Sequence, residues 1–332
     1  MTNRRFDLLG LGECMVELCA DGPLGTATHL RRSHGGDVLN TLVAAARLGG
    51  RCGFISRVAD DPFGPAMRQA WVAEGIDVQQ APLVTGDNGV YFIAVTDKGE
   101  REFSYRRRDS PASQLSARDL DEGYIGASHM LLLSGITQAL SPSTRQATLV
   151  AAQMARRHGV VVAFDPNYRP RLWADQGGLP AARAAFADLV PWVDWLLPSH
   201  PADKALLADV PADVLADVLA ESAADMPAAN PSDEFAGAGQ ALAAFARWVP
   251  QVALKVGPRG CLLHSAGTST HVDGVAAAQV VDTTGAGDLW NGSFLMKLHQ
   301  GLAPADAALQ AHRLAATKLA HRGALPPRSL FG

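Results

Sequence analysis

No pair of the four cysteines (Cys14, Cys19, Cys52, Cys261) stands at CxxC spacing or beside histidines in a metal-ligand pattern. That excludes a zinc-ribbon or thioredoxin-type site and leaves reduced, buried thiols of an intracellular protein as the expectation. The histidines form no HxxxH pattern and are assigned no function. An excess of positive charge is also missing. Lysines and arginines number 29 against 33 acids, a net charge of −4 at pH 7, which argues against a general nucleic-acid-binding surface. No apolar run reaches membrane-spanning length. Gly10, Gly12, Glu13 and Glu17 interrupt the stretch after Arg4-Arg5, so no signal-peptide core forms there and a cytoplasmic protein is expected. There is no internal repeat. What is present is 48% hydrophobic residues in a chain of 332, enough for a substantial core in one large α/β domain or two smaller ones.

The patterning starts with short strands over Phe6–Gly12 and Cys52–Val58 and helices over Val38–Leu48 and Phe63–Glu74, with glycines at their ends. An extended segment, Cys14–Cys19, and two extended runs, Gly89–Thr96 and Arg101–Arg107, joined by a turn at Asp97-Lys98-Gly99, break that rhythm. They read as a small accessory sheet built from about 13–34 and 86–110. After Pro111 the alternation is regular. Strands are expected at Met130–Leu133, Val160–Phe164, Trp195–Leu197 and Val252–Val256, and helices at Pro142–Arg157, Ala181–Leu189 and Ala236–Trp248. Strands alternating with helices imply a mostly parallel sheet covered on both faces. The alanine- and aspartate-rich stretch 211–239 reads as a surface excursion with a mobile loop.

The most informative stretch is Asp282-Thr283-Thr284-Gly285-Ala286-Gly287-Asp288, just before a helical segment. Backbone with little side-chain bulk at a helix start presents unpaired N–H groups and the positive end of the helix dipole, which makes an anion site. An acid beside such a site can take the proton of a hydroxyl as that hydroxyl attacks phosphorus. Asp288 is therefore the candidate base, and Gly285, Ala286 and Gly287 the candidate N–H donors. The plainer reading is a tight turn with an aspartate helix cap.

With Gly35-Gly36-Asp37-Val38-Leu39-Asn40 near the N-terminus and Lys255-Val256-Gly257-Pro258-Arg259-Gly260 between the two, the chain resembles the ribokinase-like carbohydrate kinases, the phosphofructokinase-B family. The resemblance spans essentially the whole chain. Asp165-Pro166-Asn167-Tyr168-Arg169 through Leu172-Trp173, Tyr105 through Ser110, and Leu133-Ser134-Gly135-Ile136 are similar to stretches of the 2-keto-3-deoxygluconate kinases within it. The resemblance implies a three-layer α/β/α fold with a small β-sheet lid, dimerisation through that lid, and ATP- and Mg2+-dependent phosphorylation of a sugar acid at its terminal hydroxyl. It places Gly35, Gly36, Asn40, Tyr91, Tyr105, Arg107, Arg169 and Asp288 at the sugar. It places Ser199, Lys255, Gly257, Gly260, Gly285 and Gly287 at the nucleotide, and a K+ site near Asp282 and Thr284.

The arginines carry the substrate argument, because a guanidinium fork pairs with a carboxylate in a bidentate, charge-assisted way. Strand alternation puts Tyr105 and Arg107 on one face and Arg106 and Arg108 on the other. For each arginine a solvated lid face is the plainer alternative. For Tyr91 and Tyr105 it is packing, and for Asp165, at a strand end, it is a structural cap. One departure concerns the metal. The family's Asn-x-x-Glu is here Ser199-His200-Pro201-Ala202, which lacks the carboxylate, and Asp203 is the candidate replacement. A second departure is Leu289-Trp290 where Ala-Phe is common. Two alternatives remain: a fructokinase or other ketose kinase, and a sugar-binding homologue with weak or no kinase activity.

Overall fold

The computed structural model describes residues 4–95, 101–207 and 234–331. The turn expected at 97–99 and most of the excursion expected at 211–239 lie outside them. A nine-stranded sheet forms the middle layer, in the order Thr268–Val272, Cys261–Ser265, Gln251–Lys255, Trp195–Leu196, Val161–Asp165, Ser128–Ser134, Phe6–Leu11, Cys52–Ile55, Ile76–Asp77. All neighbours are parallel except at one edge, where Gln251–Lys255, Cys261–Ser265 and Thr268–Val272 run antiparallel.

The central strands bury both faces, as parallel strands between helices must. Alternate residues divide between two cores. Leu9, Leu131 and Val162 pack with Ala147 and Ala151 of helix Pro142–Arg157 and Phe245 of helix Glu234–Ala246. Leu8, Leu132 and Ala163 pack with Leu39 of helix Asp37–Arg47, Phe294 of helix Ala286–His299 and Ala308 of helix Pro304–Lys318. The one-residue offset between the sets is the strand period of two, and it produces the three layers.

A separate four-stranded sheet, in the order Arg31–Gly35, Met15–Cys19, Val90–Val95, Arg101–Arg106, stands beside this body. Its own core is small: Met15, Tyr91 and Ile93. The chain passes from the main sheet to the small one through Gly12-Glu13-Cys14, so Glu13 lies at the seam. All four cysteines are free thiols. No helix among the described residues is long and apolar enough to cross a membrane.

Candidate active site

Several chain segments deliver polar groups to one end of the parallel strands. Ser134 and Asp165 are the last residues of their strands, and helices Asp37–Arg47 and Ala286–His299 begin there. Ligands of open α/β sheets bind at this end. Asp288 lies in the first turn of its helix, whose N-cap Gly285 has φ +72° and gives no side-chain cap. A side chain at Gly285 would strike Ala324, whereas beyond Gly287 there is open space. The Ala286 N–H already donates to the Thr283 carbonyl at 3.2 Å, and the open side of the helix start is at Gly287.

Asn40 donates to Asp288 Oδ2 at 2.8 Å, and Thr41 Oγ1 donates to the Asp288 carbonyl at 3.1 Å. Asp288, Asp37, Asp165 and Asn291 line one crevice. Burial, then the negative charge of Asp37, push the Asp288 carboxyl up to about 7, against the pull of the Asn40 hydrogen bond. A carboxyl poised near neutrality suits a general base. Burial likewise raises Asp37, whose Oδ2 accepts from Ser134 and from Asn167 Nδ2. Asp37 Oδ1 and Asn40 Oδ1 are buried acceptors with no donor in the structure. Bare acceptors beside the base are what hydroxyl groups of a sugar would satisfy.

Lys255 belongs to this cluster. Its ammonium reaches Asp165 Oδ2 at 3.1 Å and Asn291 Oδ1 at 2.8 Å, and Asn291 donates to the same Asp165 oxygen at 2.6 Å. It is buried, and the amine pairs with Asp165 under the acid cluster. Gly257 (φ +53°) and Gly260 (φ +92°) shape the turn into the antiparallel edge, where a Cβ on Gly260 would meet the Val272 carbonyl. Ser199 bridges to Lys255 along the sheet end.

Arg107 pairs with Glu13 and lies with its guanidinium 4.7 Å from the centre of the Tyr105 ring. Tyr105 and Arg107 do share a face, while Arg106 bonds locally and Arg108 reaches Asp175. Glu13 is 1% exposed, burial lifts its carboxyl, and its Oε2 has no donor. Arg107 and Arg169 line one open cleft of about 1760 Å³. Arg169 is exposed and has no ion-pair partner among the described residues. Tyr91 is packed in the small sheet: its hydroxyl donates to Glu17, and burial and that acid raise its pKa far above the usual tyrosine value. A Cβ on Gly36 would meet the Glu13 carbonyl and one on Gly35 the Tyr91 hydroxyl, so glycine at both positions allows close packing of protein atoms.

The candidate metal acid, Asp203, bonds to protein backbone. Asp203 is 0% exposed, and its two oxygens accept the backbone N–H groups of Tyr168 and Ser199, both at 2.7 Å. Burial and the charge of Asp165 bring it to about 6. It ties two loops together. The Asp282 carboxylate accepts from the N–H groups of Thr284 (2.9 Å) and Gly323 (2.6 Å). Among the described residues one triad, Asp7, His129 and His299, has metal-ligand proximity. It lies where its strands begin, at the opposite end of the sheet, and Arg51 already holds Asp7 at 2.6 Å. Glu13, Asp37, Asn167 and Asn291 were not singled out as site residues from sequence. Two of them had a signal: Asp37 lies inside the Gly35-to-Asn40 element and Asn167 inside the Asp165-to-Arg169 stretch.

The pfkB family carbohydrate kinase profile matches residues 7–329. Over 333 aligned residues the chain is 31% identical to the 2-dehydro-3-deoxygluconokinase of Escherichia coli K12, with 96% of each chain covered. Among solved structures, the 2-dehydro-3-deoxygluconokinase of Thermotoga maritima matches with a TM-score of 0.81 at 18% identity, covering 98% of both chains. An E. coli protein of ribokinase type, solved in complex with ATP and Mg2+, matches with a TM-score of 0.75 at 24% identity over 96% of this chain and 94% of that one. The last two show likeness of fold. The chain belongs to the pfkB family of carbohydrate kinases.

Proposed function

We propose that the protein transfers the terminal phosphoryl group of ATP to the terminal hydroxyl of 2-dehydro-3-deoxygluconate, giving 2-keto-3-deoxy-6-phosphogluconate. The observation that carries the chemistry is Asp288, a carboxyl raised to about 7 at the mouth of an uncapped helix start. In this reading Asp288 accepts the proton of the attacking hydroxyl, and the N–H groups of Gly285 to Gly287 stabilise charge growing on the transferred phosphoryl oxygens. Asp37 Oδ1 and Asn40 Oδ1 accept sugar hydroxyls and orient the nucleophile.

The substrate carboxylate is assigned to Arg169, with Arg107 as second partner. Glu13 engages only one terminal nitrogen of Arg107 in the structure, and a guanidinium offers five donors. Gly257, Gly260 and Ser199 are proposed on the nucleotide side. Mg2+ brought with the nucleotide would supply charge neutralisation there. The residues named for it do not make a dedicated ion site: position 202 is alanine and Asp203 is spent on backbone N–H groups.

One observation favours a second reading, a neutral ketose such as fructose: the Arg107 charge is already countered by Glu13. A panel of sugar acids and ketoses, read by coupled ADP release, tests the choice. Preference for a ketose, or turnover of the sugar acid unchanged in Arg107→Ala and Arg169→Ala, would sink the proposed substrate.

A further inference from the structure

Lysine is almost never fully buried unless its charge is met, yet Lys318, the last residue of helix Pro304–Lys318, is 0% exposed. Its ammonium donates to the Asp282 carbonyl at 2.6 Å and lies 3.9 Å from Asp282 Oδ1. Asp282 opens the stretch that leads to the anion-binding helix start. The residues after Lys318 form the floor of that stretch. The Leu319 carbonyl accepts the N–H groups of Val281 (2.7 Å) and Asp282 (3.1 Å), Gly323 donates to Asp282 Oδ2, and Gly285 sits against Ala324.

We infer that the Lys318 ammonium is a tethered internal cation that takes the place of a free monovalent ion behind the anion-binding loop. It sets the backbone of Asp282 to Gly287 at the geometry that receives the nucleotide phosphates. A carbonyl oxygen and a carboxylate edge facing one buried positive centre is the environment an alkali ion would need, and here that centre is covalently part of the chain. The residues therefore do not fit a K+ ion beside Asp282 and Thr284. Lys318 touches no reacting atom in this arrangement and acts as a positioning residue. The inference rests on the kinase reading only for where the loop's anion comes from.

Tests on the nucleotide alone separate it from the sugar question. In the wild-type protein, exchanging K+ for tetramethylammonium should leave both the ADP affinity measured by calorimetry and the melting temperature unchanged. Lys318→Met, which keeps the bulk and removes the charge, should weaken ADP binding about tenfold or more. In Lys318→Ala, K+ or NH4+ should restore part of that loss, while tetramethylammonium should not. Lys318→Arg keeps the charge and should bind ADP better than Lys318→Met. Ion-dependent ADP binding by the wild type, full ADP affinity in Lys318→Met, or a folded Lys318→Ala that no small cation rescues would each overturn the inference. If Lys318→Ala does not fold, the wild-type ion exchange and Lys318→Met still decide it. Failure of every sugar to release ADP would remove the proposed function while leaving these binding results to stand.

Discussion

Replacing Asp288 by asparagine should sharply lower turnover and yet stabilise the protein, in a pH-dependent way. Burial and the neighbouring Asp37 raise the carboxyl from 3.8 to about 7. The folded protein therefore holds a proton that the unfolded chain loses between about pH 4 and pH 7, and the wild type loses stability as pH climbs through that window. The full shift corresponds to about 4 kcal/mol at 1.36 kcal/mol per pKa unit. Asp288 is partly exposed to the crevice, and solvent screening cuts the figure to about 2 kcal/mol. Asparagine escapes this cost and keeps an oxygen for the Asn40 amide. Thermal unfolding across the pH range should show Asp288→Asn melting about 5 °C above wild type near pH 8, with the difference vanishing towards pH 4. Turnover should fall by about 10² to 10⁴, the contribution of a positioned base. A variant less stable than wild type at the alkaline end, or a difference that stays flat with pH, would refute the electrostatic reasoning. Retention of most of the turnover would refute the assignment of the base.

The same raised carboxyl sets the wild-type rate profile: kcat/KM should rise with pH through about 7 as Asp288 ionises, and a profile flat from pH 5 to 8 would count against it. Arg169→Ala should raise KM for the sugar acid by about ten- to a hundredfold, with little effect on any neutral ketose that is turned over, in steady-state kinetics. Lys255→Met leaves Asp165 without its buried cation and should cost about 3 kcal/mol by denaturant titration, softened to the extent that Asn291 compensates. Asp37→Ala removes one of the two bare acceptors beside the base and should lower kcat/KM by about tenfold or more while ADP affinity holds.

Where physics is local, the sequence was readable. Helix Pro142–Arg157 falls where the pattern put it, because Ser141 and Thr144 form a capping box before Pro142 and the helix runs out at Gly159. The parallel strands followed from short apolar runs, and Asp288 from its glycine-flanked helix start. Two antiparallel strands, Cys261–Ser265 and Thr268–Val272, gave no usable signal, since Thr268–Val272 is an edge strand with polar, half-exposed residues. Arg31–Gly35 falls mostly within the stretch of about 13–34 read as part of the small sheet, though its own bounds gave no separate signal. In the site, the contacts that sequence does not show are those that depend on convergence. Nothing near Lys255 in sequence says that Asp165 and Asn291 will enclose it, nothing near Asp203 says that both oxygens will cap distant loops, and Glu13 meets Arg107 only because two sheets join there. Lys318 reads as an ordinary basic residue at a helix end, and only the tertiary floor around Asp282 buries it.

The most direct test of the central claim is ADP release by the wild-type protein with Mg-ATP and purified 2-dehydro-3-deoxygluconate, measured beside fructose at matched concentrations. ADP release should depend on the sugar acid, with kcat/KM at least about a hundredfold above fructose, given charge-assisted hydrogen bonds to the carboxylate. Fructose turned over as well as the sugar acid, or no ADP release with the sugar acid, would contradict it.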